Sequence, residues 1–230
     1  MRLVSSSFIW AALTVVGVAS ETAHPAKAPA PPAASLRTIS CEGPLFGGVT
    51  RAKVVTTFGA ANVTEDEFPG AEGEGTYKAT VLFAEKPADL VHLLWNDAPA
   101  SGPQTVGTVD VFGSNWRGPG GIHVGSSIAE VEKANGKPFI LYGIGWDYGG
   151  IVLDWQGGAL GAIKPEAGPG MIRRDCGLGV TFTQGPGVSN EATLKAGGER
   201  KFTSDDPALR DAKLIVWEML LSYGSPSDSH

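Results

Sequence analysis

The sequence predicts an α+β fold in which short helices and duplicated helix-plus-hairpin modules pack on antiparallel sheet. Three observations support this class. A short helix with recognisable start and stop signals is followed directly by a hairpin pattern in residues 121–155, and a looser copy of that order lies in residues 49–95. The 230 residues include 32 Gly and 16 Pro, a composition that favours many turns over long helices.

The helix of the second module has a capping signal at each end. Ser127 and Glu130 have the spacing of a capping box, and Ile128 and Val131 form one apolar stripe. Asn135 or Gly136 suits the left-handed position after the last turn. Residues 139–155, FILYGIGWDYGGIVLDW, then contain two strand-like runs around a Gly-rich turn, which predicts a hairpin.

The first module has the same order with weaker signals. Residues 49–63 predict a short helix that ends at Gly59, and strands are expected at 76–83 and 90–95. Aligning Gly59 with Gly136 also places Val54 opposite Val131, which predicts a pseudo-repeat of about 45–112 and 121–223. Chance similarity between short apolar strings is the alternative. Further strands are expected at 106–112, 179–184 and 213–223, with a helical turn at Pro207 started by Ser204 or Asp205.

The N-terminal residues predict export. Residues 1–20 read as a signal peptide, with Arg2 ahead of an apolar run too short to span a bilayer. Residues 21–35 form a Pro/Ala-rich, disordered tether, residues 36–223 the folded domain, and residues 224–230 a frayed tail. We therefore expect a periplasmic or secreted protein with no membrane span.

The two cysteines, Cys41 and Cys176, are the only ones in the chain. In an oxidising compartment they are expected to form one disulfide bond. Two buried free thiols are the alternative. A nucleophilic cysteine is the least favoured interpretation, because neither residue has a histidine nearby in sequence.

One motif resembles a known group of envelope modules. The motif combines Gly125-Ser126-Ser127 with Glu130-Val131 and Gly136-Lys137-Pro138. It is similar to the accessory lipoprotein of the outer-membrane β-barrel assembly machinery and to the tandem-module β-lactamase inhibitor protein. The resemblance implies short helices against a curved antiparallel sheet, and binding of other proteins without catalysis. The chain lacks the lipoprotein's acylated cysteine and the inhibitor's disulfide pair in each module, so neither anchoring nor β-lactamase inhibition is carried over.

The composition and motifs argue against several function classes. A net charge of −6 leaves no basic surface for nucleic acid. No nucleophile elbow, zinc-protease helix or phosphate loop occurs, and we expect no cofactor and no metal. His92 and His123 alternate with apolar residues and predict polar-face strand positions rather than a general base. The acidic stretch at 65–74 predicts a solvated loop, because the ordered spacing of a calcium loop is missing.

The aromatic residues divide into two groups. Trp95, Trp155 and Trp217 lie in apolar runs and are predicted to be core residues. A second group has polar or glycine neighbours in turns, which favours either exposed binding positions or local turn packing. The binding candidates are Trp116, Trp146 and Tyr148, with Asp147 between the last two, where it either binds or stabilises the turn.

These observations favour an exported, non-enzymatic envelope protein that presents a sheet face and aromatic turns to a protein or glycan partner. The alternative is a hydrolase of an envelope polysaccharide or peptidoglycan, with Asp147 and Asp154 as the acid and base. A purely structural role is a third interpretation. The sequence leaves the oligomeric state and the identity of the partner open.

Overall fold

The structure is a computed structural model and describes residues 37–70, 75–97, 102–162 and 176–223. The expectations of a signal peptide at 1–20, a tether at 21–35 and a tail at 224–230 therefore lie outside the described residues. The same is true of Glu72 and Glu74 in the acidic stretch.

Four short helices and nine strands are described, which confirms a mixed helix-and-strand fold built on antiparallel sheet. The helices are α1 (Arg51–Phe58), α2 (Ile128–Asn135), α3 (Asn190–Lys195) and α4 (Pro207–Asp211). The strands are β1 (Val63–Pro69), β2 (Thr76–Leu82), β3 (Val91–Trp95), β4 (Val106–Val111), β5 (Ile140–Tyr142), β6 (Val152–Asp154), β7 (Cys176–Thr183), β8 (Lys201–Thr203) and β9 (Ile215–Tyr223). In the described ranges no helix is long and apolar enough to cross a membrane.

The strands form two antiparallel sheets. The larger sheet has the order β1-β2-β3-β4-β9-β7, and the smaller has the order β6-β5-β8. A single bridge between Ile151 and Thr181 links the strand β6 region to β7. The chain therefore runs as a four-stranded meander, crosses to the smaller sheet for β5 and β6, returns for β7, crosses again for β8, and ends with β9 between β4 and β7.

Local capping signals determine where the main helices begin and end. The Ser127 hydroxyl accepts from the Glu130 amide, and the Glu130 carboxylate accepts from the Ser127 amide, so the predicted capping box is confirmed. Gly136 ends α2 with a φ of 79°, a left-handed conformation that favours glycine. Helix α4 is capped by Asp206, whose carboxylate accepts from the Ala208 amide, and not by Ser204 or Asp205 as expected. The buried Ser204 hydroxyl instead accepts from the Phe139 amide.

The pseudo-repeat is only partly visible in the arrangement of the strands. Helices α1 and α2 both have eight residues and end at a glycine, and antiparallel strands follow each of them. The two hairpins, however, lie in different sheets, β2–β3 in the larger and β5–β6 in the smaller. The duplication therefore stays a prediction.

One face of the larger sheet, which we call the inner face, carries the hydrophobic core. Val91, Leu93, Val109 and Val111 on this face are fully buried. Helix α1 contributes Val54 and Phe58 to the same cluster, and α2 contributes Ile128 and Val131, as its apolar stripe predicts. The opposite side of the strands is the outer face, and its residues alternate with those of the core.

The predicted disulfide bond is confirmed. Cys41 and Cys176 are bonded, with their Cα atoms 5.9 Å apart and a sequence separation of 135. The bond joins the segment before α1 to the first residue of β7. Nearby, the Tyr223 hydroxyl donates to the Ser40 carbonyl at 3.1 Å, so the same segment is also held against the end of β9.

The first part of the acidic stretch is a strand, so the predicted loop is wrong there. Glu65, Asp66 and Glu67 lie in β1 and pair with residues of β2. Strand β1 is an edge strand of the larger sheet, and charged side chains on an edge strand discourage pairing with other chains. The high local charge therefore predicted the exposure of these residues correctly, but it did not predict strand β1.

Candidate functional site

The register of the larger sheet brings two titratable residues together on the outer face. His92 on β3 is directly opposite Asp110 on β4 and also pairs with Val81 on β2. Asp110 in turn pairs with Leu220 on β9. His92 and Asp110 each alternate with fully buried valines or leucines, so both point away from the core. The face predicted for His92 is therefore confirmed.

Aromatic rings pack against His92 on the outer face. The His92 ring stacks on Phe68 with centroids 4.4 Å apart, and Phe112 lies 4.9 Å from it on the other side. Phe68 is on β1, two strands away from His92, a backbone separation of roughly 9.6 Å. Because their rings nevertheless touch, the side chains converge above β2. Tyr77 packs against Phe68 at 5.7 Å and extends this aromatic wall.

His92 and Asp110 are buried although they lie outside the core. Each is only 8% exposed. The His92 Nδ1 atom and the Asp110 Oδ1 atom are buried and have no hydrogen-bond partner among the described residues. An unsatisfied buried polar group costs about 1–3 kcal/mol, and such groups concentrate at functional positions.

The pKa values of the groups on this face are shifted by burial. Burial, with a smaller contribution from the Glu218 carboxylate, raises the pKa of Asp110 to about 7. Burial also raises the pKa of Glu218 and lowers that of His92, against a small opposing effect of Asp66. The pKa of Tyr77 is raised by burial and by the charges of Asp110 and Glu218. The outer face thus places a carboxyl with a pKa of about 7 on the strand next to an imidazole whose pKa is lowered, and shifts of this kind are frequent at functional sites.

Trp217 belongs to the outer face, and its prediction as a core residue is wrong. Thr181 pairs with Glu218 and Phe182 pairs with Val216, so Trp217 is the extra residue of a β-bulge in β9. A bulge breaks the alternation of side chains. The indole is consequently 58% exposed, although the apolar run around it predicts burial.

A turn of the smaller sheet adds a second aromatic group, which we call the aromatic turn and which comprises Tyr142, Trp146 and Tyr148. The Trp146 ring lies 5.2 Å from Tyr142 and 5.5 Å from Tyr148, both edge-on, and its Nε1 donates to the Gly143 carbonyl at 2.9 Å. Tyr148 is 40% exposed and Trp146 is half-buried. The predicted turn packing therefore applies to Trp146, and Tyr148 is exposed. Binding by Trp146 and Tyr148 stays a prediction.

The sheet register connects the aromatic turn to the outer face. Ile151 pairs with Thr181, and Thr181 pairs with Glu218, so these three share one face. The Tyr142 amide donates to the Ile151 carbonyl at 3.0 Å. Leu141, the neighbour of Tyr142, is fully buried, which directs Tyr142 away from the core.

Trp116 is not a surface residue, and its selection as a binding candidate is wrong. The indole is completely buried, and its Nε1 donates to the Asp89 carbonyl at 2.9 Å. The Phe58 ring packs beside it at 6.2 Å, and the Arg37 guanidinium lies 5.3 Å from its centroid. Its polar neighbours in sequence line the turn, whereas the side chain fills the space next to α1.

The carboxylates and histidine considered for catalysis are not assembled into one site. Asp147 is exposed in the aromatic turn. Both carboxylate oxygens of Asp154 accept from Gln156, at 2.7 Å from the amide and 2.5 Å from the side chain. His123 lies in the loop before α2, with its Nδ1 2.8 Å from the Val124 carbonyl oxygen. No group of three potential metal ligands occurs in the part of the chain that the structure describes.

A separate cleft lies on the other side of β1–β3, and we call it the Trp95 cleft. It has a volume of about 450 Å³ and is lined by Arg51, Glu65, Lys78, Trp95, Pro103 and Gln104. Sequence reasoning assigned Trp95 to the core, and its indole does pack against the core, but it also forms a wall of this cleft. The alternation of β3 indicated the correct face, but only the fold brings Arg51 of α1 to the same place.

Comparison with protein-family models, with curated proteins and with solved structures finds no match to this chain.

Proposed function

We propose that this chain is an exported, non-enzymatic envelope protein that binds a protein or glycan partner through its outer face and aromatic turn. One observation carries the proposal: aromatic side chains from both sheets lie on the side of the strands opposite the core. Trp217 is 58% exposed, Tyr148 40% and Tyr77 37%. Leu153, on β6, is 39% exposed.

Exposed aromatic residues of this kind are costly to leave in water and are typical of interface centres. Tyrosine and tryptophan combine a large apolar surface with a polar atom, and they dominate the binding energy of many interfaces. A sheet also holds its side chains in a fixed pattern, so little entropy is lost when a partner docks. These two properties support recognition by the outer face.

The charge of the outer face indicates what the partner supplies. Asp66, Asp110 and Glu218 are on this face, and within the described ranges none of them forms a salt bridge. A partner with hydrogen-bond donors or basic groups would complement these carboxyl groups. The outer face therefore suits a partner that packs against aromatic side chains and carries hydrogen-bond donors.

Export is supported by the bond between Cys41 and Cys176, because structural disulfides persist in oxidising compartments. The signal peptide expected at residues 1–20 and the resemblance to envelope modules agree with this location. Both remain part of the proposal.

The test is capture of envelope components by the full-length exported chain, followed by identification of the bound material. We expect Trp217→Ala and Tyr148→Ala to reduce capture of the same component at least tenfold, because hot-spot aromatic residues contribute about 2 kcal/mol or more. Leu194→Ala is the matched control, since Leu194 is 79% exposed on α3 and lies outside the sheet. Equal capture by all variants would contradict the proposal.

A hydrolase acting on an envelope polysaccharide or peptidoglycan is the second candidate, and the pKa of Asp110 favours it. A carboxyl with a pKa of about 7 suits a general acid near neutral pH. Turnover of peptidoglycan or oligosaccharide that is lost in Asp110→Asn but retained in Asp154→Asn would establish this function in place of simple binding.

A further inference from the structure

We propose that the Trp95 cleft is a second binding site, separate from the outer face, and that it takes a neutral saccharide. The register places this cleft on the inner side of β1–β3, because Glu65 pairs with Thr80 and Thr80 pairs with the core residue Leu93. Trp95 follows Leu93 by two residues and therefore shares that side. The aromatic residues of the outer face alternate with these positions, so the two sites use different side chains.

The cleft lies where the inner side of these strands extends past the hydrophobic core. Helix α1 packs Val54 and Phe58 into the core, and its first residue, Arg51, reaches the wall of the cleft. Pro103 and Gln104, from the segment before β4, also line it. Three separate parts of the chain therefore bound the cleft, which distinguishes it from the surface of a sheet.

The aromatic wall of the cleft is held in place by hydrogen bonds. Trp95 Nε1 donates to the Thr80 hydroxyl at 2.8 Å, and that hydroxyl donates to the Glu65 carboxylate at 2.5 Å. Thr80 is fully buried, so the network is anchored in the core. Because Nε1 is the one polar atom of an indole and is bonded within the protein, Trp95 presents an apolar surface to the cleft.

The charged groups around the cleft balance one another. Arg51 forms an ion pair with Glu65. Lys78 lies directly opposite Glu67 in the pairing of β1 with β2, on the same side of the strands. Two positive charges thus meet two negative charges. A charged ligand would lose its hydration without meeting an uncompensated opposite charge, so the cleft favours a neutral ligand over an ion of either sign.

The same groups supply donors and acceptors for a neutral ligand. Arg51 uses only Nη1 for its contacts with Glu65 and Thr80, and both contacts of Glu65 involve Oε1. The other guanidinium hydrogens and Glu65 Oε2 therefore remain for a ligand. The Arg51 and Glu65 side chains are 53% and 47% exposed, so both are within its reach. Gln104 donates to the Asn96 carbonyl at 3.2 Å, which positions its amide at the rim.

A pyranose ring without an ionised group matches this combination. The C–H groups on one face of such a ring pack on an indole, and each hydroxyl both donates and accepts hydrogen bonds. Neighbouring ring hydroxyls therefore suit a wall that offers guanidinium donors beside carboxylate acceptors. The volume of about 450 Å³ is within the range of small-ligand sites. We therefore expect the cleft to take the rings of a short neutral oligosaccharide.

The test compares neutral trisaccharides with charged counterparts of the same length. We would titrate the full-length chain by calorimetry with chitotriose against its deacetylated, cationic form, and with the methyl ester of trigalacturonate against the free acid. We expect the neutral member of at least one pair to bind at least about fivefold more tightly, because the charged member loses hydration without compensation. Added salt should leave the affinity of the neutral member unchanged, since salt screens interactions between charges.

Two variants assign the binding to the cleft. Trp95→Phe should weaken binding of the neutral trisaccharide at least about fivefold, because the smaller ring offers less surface for packing. Gln104→Ala, at the exposed rim, should weaken it about threefold or more through loss of one hydrogen bond, and it leaves the core network intact. Lys53→Gln on α1 is the matched control, since Lys53 is exposed and does not line the cleft.

A third variant tests the balance of charge. Glu67→Gln leaves Lys78 without the carboxylate opposite it, while a glutamine oxygen still accepts from the Thr76 hydroxyl that bonds Glu67. We expect this variant to shift the preference within the galacturonate pair toward the free acid. An unchanged preference would contradict the role assigned to charge.

The outcomes decide the proposal without reference to the outer face. Tighter binding of a neutral trisaccharide that weakens in Trp95→Phe and Gln104→Ala, but not in Lys53→Gln, supports the cleft. Absence of binding by both neutral trisaccharides, no preference for the neutral member in either pair, or equal binding by Gln104→Ala would overturn it. None of these results depends on whether the outer face captures a partner.

Discussion

Replacement of Asp110 by asparagine should stabilise the protein, and increasingly so as the pH rises. The pKa of this carboxyl is raised from its ordinary value of 3.8 to about 7, mainly by burial. A raised pKa means that the folded state keeps a proton that the unfolded chain has already released. The stability that the protonated form provides is therefore fully present below about pH 4 and is lost as the pH rises through about 7.

The magnitude follows from the size of this shift. At 1.36 kcal/mol per pKa unit, the difference between 3.8 and about 7 corresponds to about 4 kcal/mol as an upper limit. Asparagine has a similar shape and never ionises. We therefore expect Asp110→Asn to exceed the wild type in free energy of unfolding by about 2–4 kcal/mol at pH 8, and by much less at pH 4.

The assay is urea unfolding followed by tryptophan fluorescence at pH 4, 5, 6, 7 and 8. Other groups contribute to the individual curves: the raised pKa of Glu218 acts in the same direction as Asp110. The lowered pKa of His92 acts oppositely, since its contribution is present above pH 6.5 and is lost as the pH falls. Subtracting the wild-type free energy of unfolding from that of Asp110→Asn at each pH reduces the contributions of Glu218 and His92.

Asp154→Asn is the control, because Asp154 is exposed and its carboxylate is bonded to Gln156. It should not show a gain that grows with pH. The reasoning would be refuted if Asp110→Asn destabilised the protein equally at every pH. A difference that did not change between pH 4 and 8 would refute it as well.

Two further predictions concern the covalent and local parts of the fold. Replacing Cys41 and Cys176 together by alanine should lower the free energy of unfolding by about 5 kcal/mol, since the bond closes a loop with a sequence separation of 135 residues. Chemical denaturation measures the loss, and an unchanged unfolding midpoint would contradict the prediction. Ser127→Ala should cost about 1 kcal/mol because it breaks the capping box of α2. Ser222→Ala, an exposed strand position, is its control and should change the midpoint little.

Local signals in the sequence predicted the helix ends well. The capping box of α2 and its terminal glycine each bond to groups no more than four residues away, so the chain needs no distant contact to specify them. The strand around His92 was predictable for the same reason, because alternation of polar and apolar residues requires only the strand itself.

The candidate site could be predicted from the sequence only in part. His92 and Asp110 each alternate with apolar residues on separate strands, a signal that predicts their faces but not their pairing. The Trp95 cleft joins α1 to strands β1–β3 and to the segment before β4. Such sites depend on contacts between residues distant in sequence.

The tryptophans show how far the local sequence predicts burial. Trp116 and Trp217 were assigned from the polarity of their neighbours, and both assignments were wrong. The Trp116 side chain is buried because Phe58 and Arg37 meet it from elsewhere in the chain. Trp217 is exposed because a bulge opposite β7 removes it from the alternation of β9.

The sequence by itself determined the two caps of α2, most of the strands and, through the count of two cysteines, the disulfide bond. Each of these rests on interactions between near neighbours or on a choice with few alternatives. Tertiary structure alone decided the order of the strands, the meeting of His92 with Asp110, and the exposure of Trp217. Those outcomes depend on register and packing between distant segments, which the order of residues along one strand does not specify.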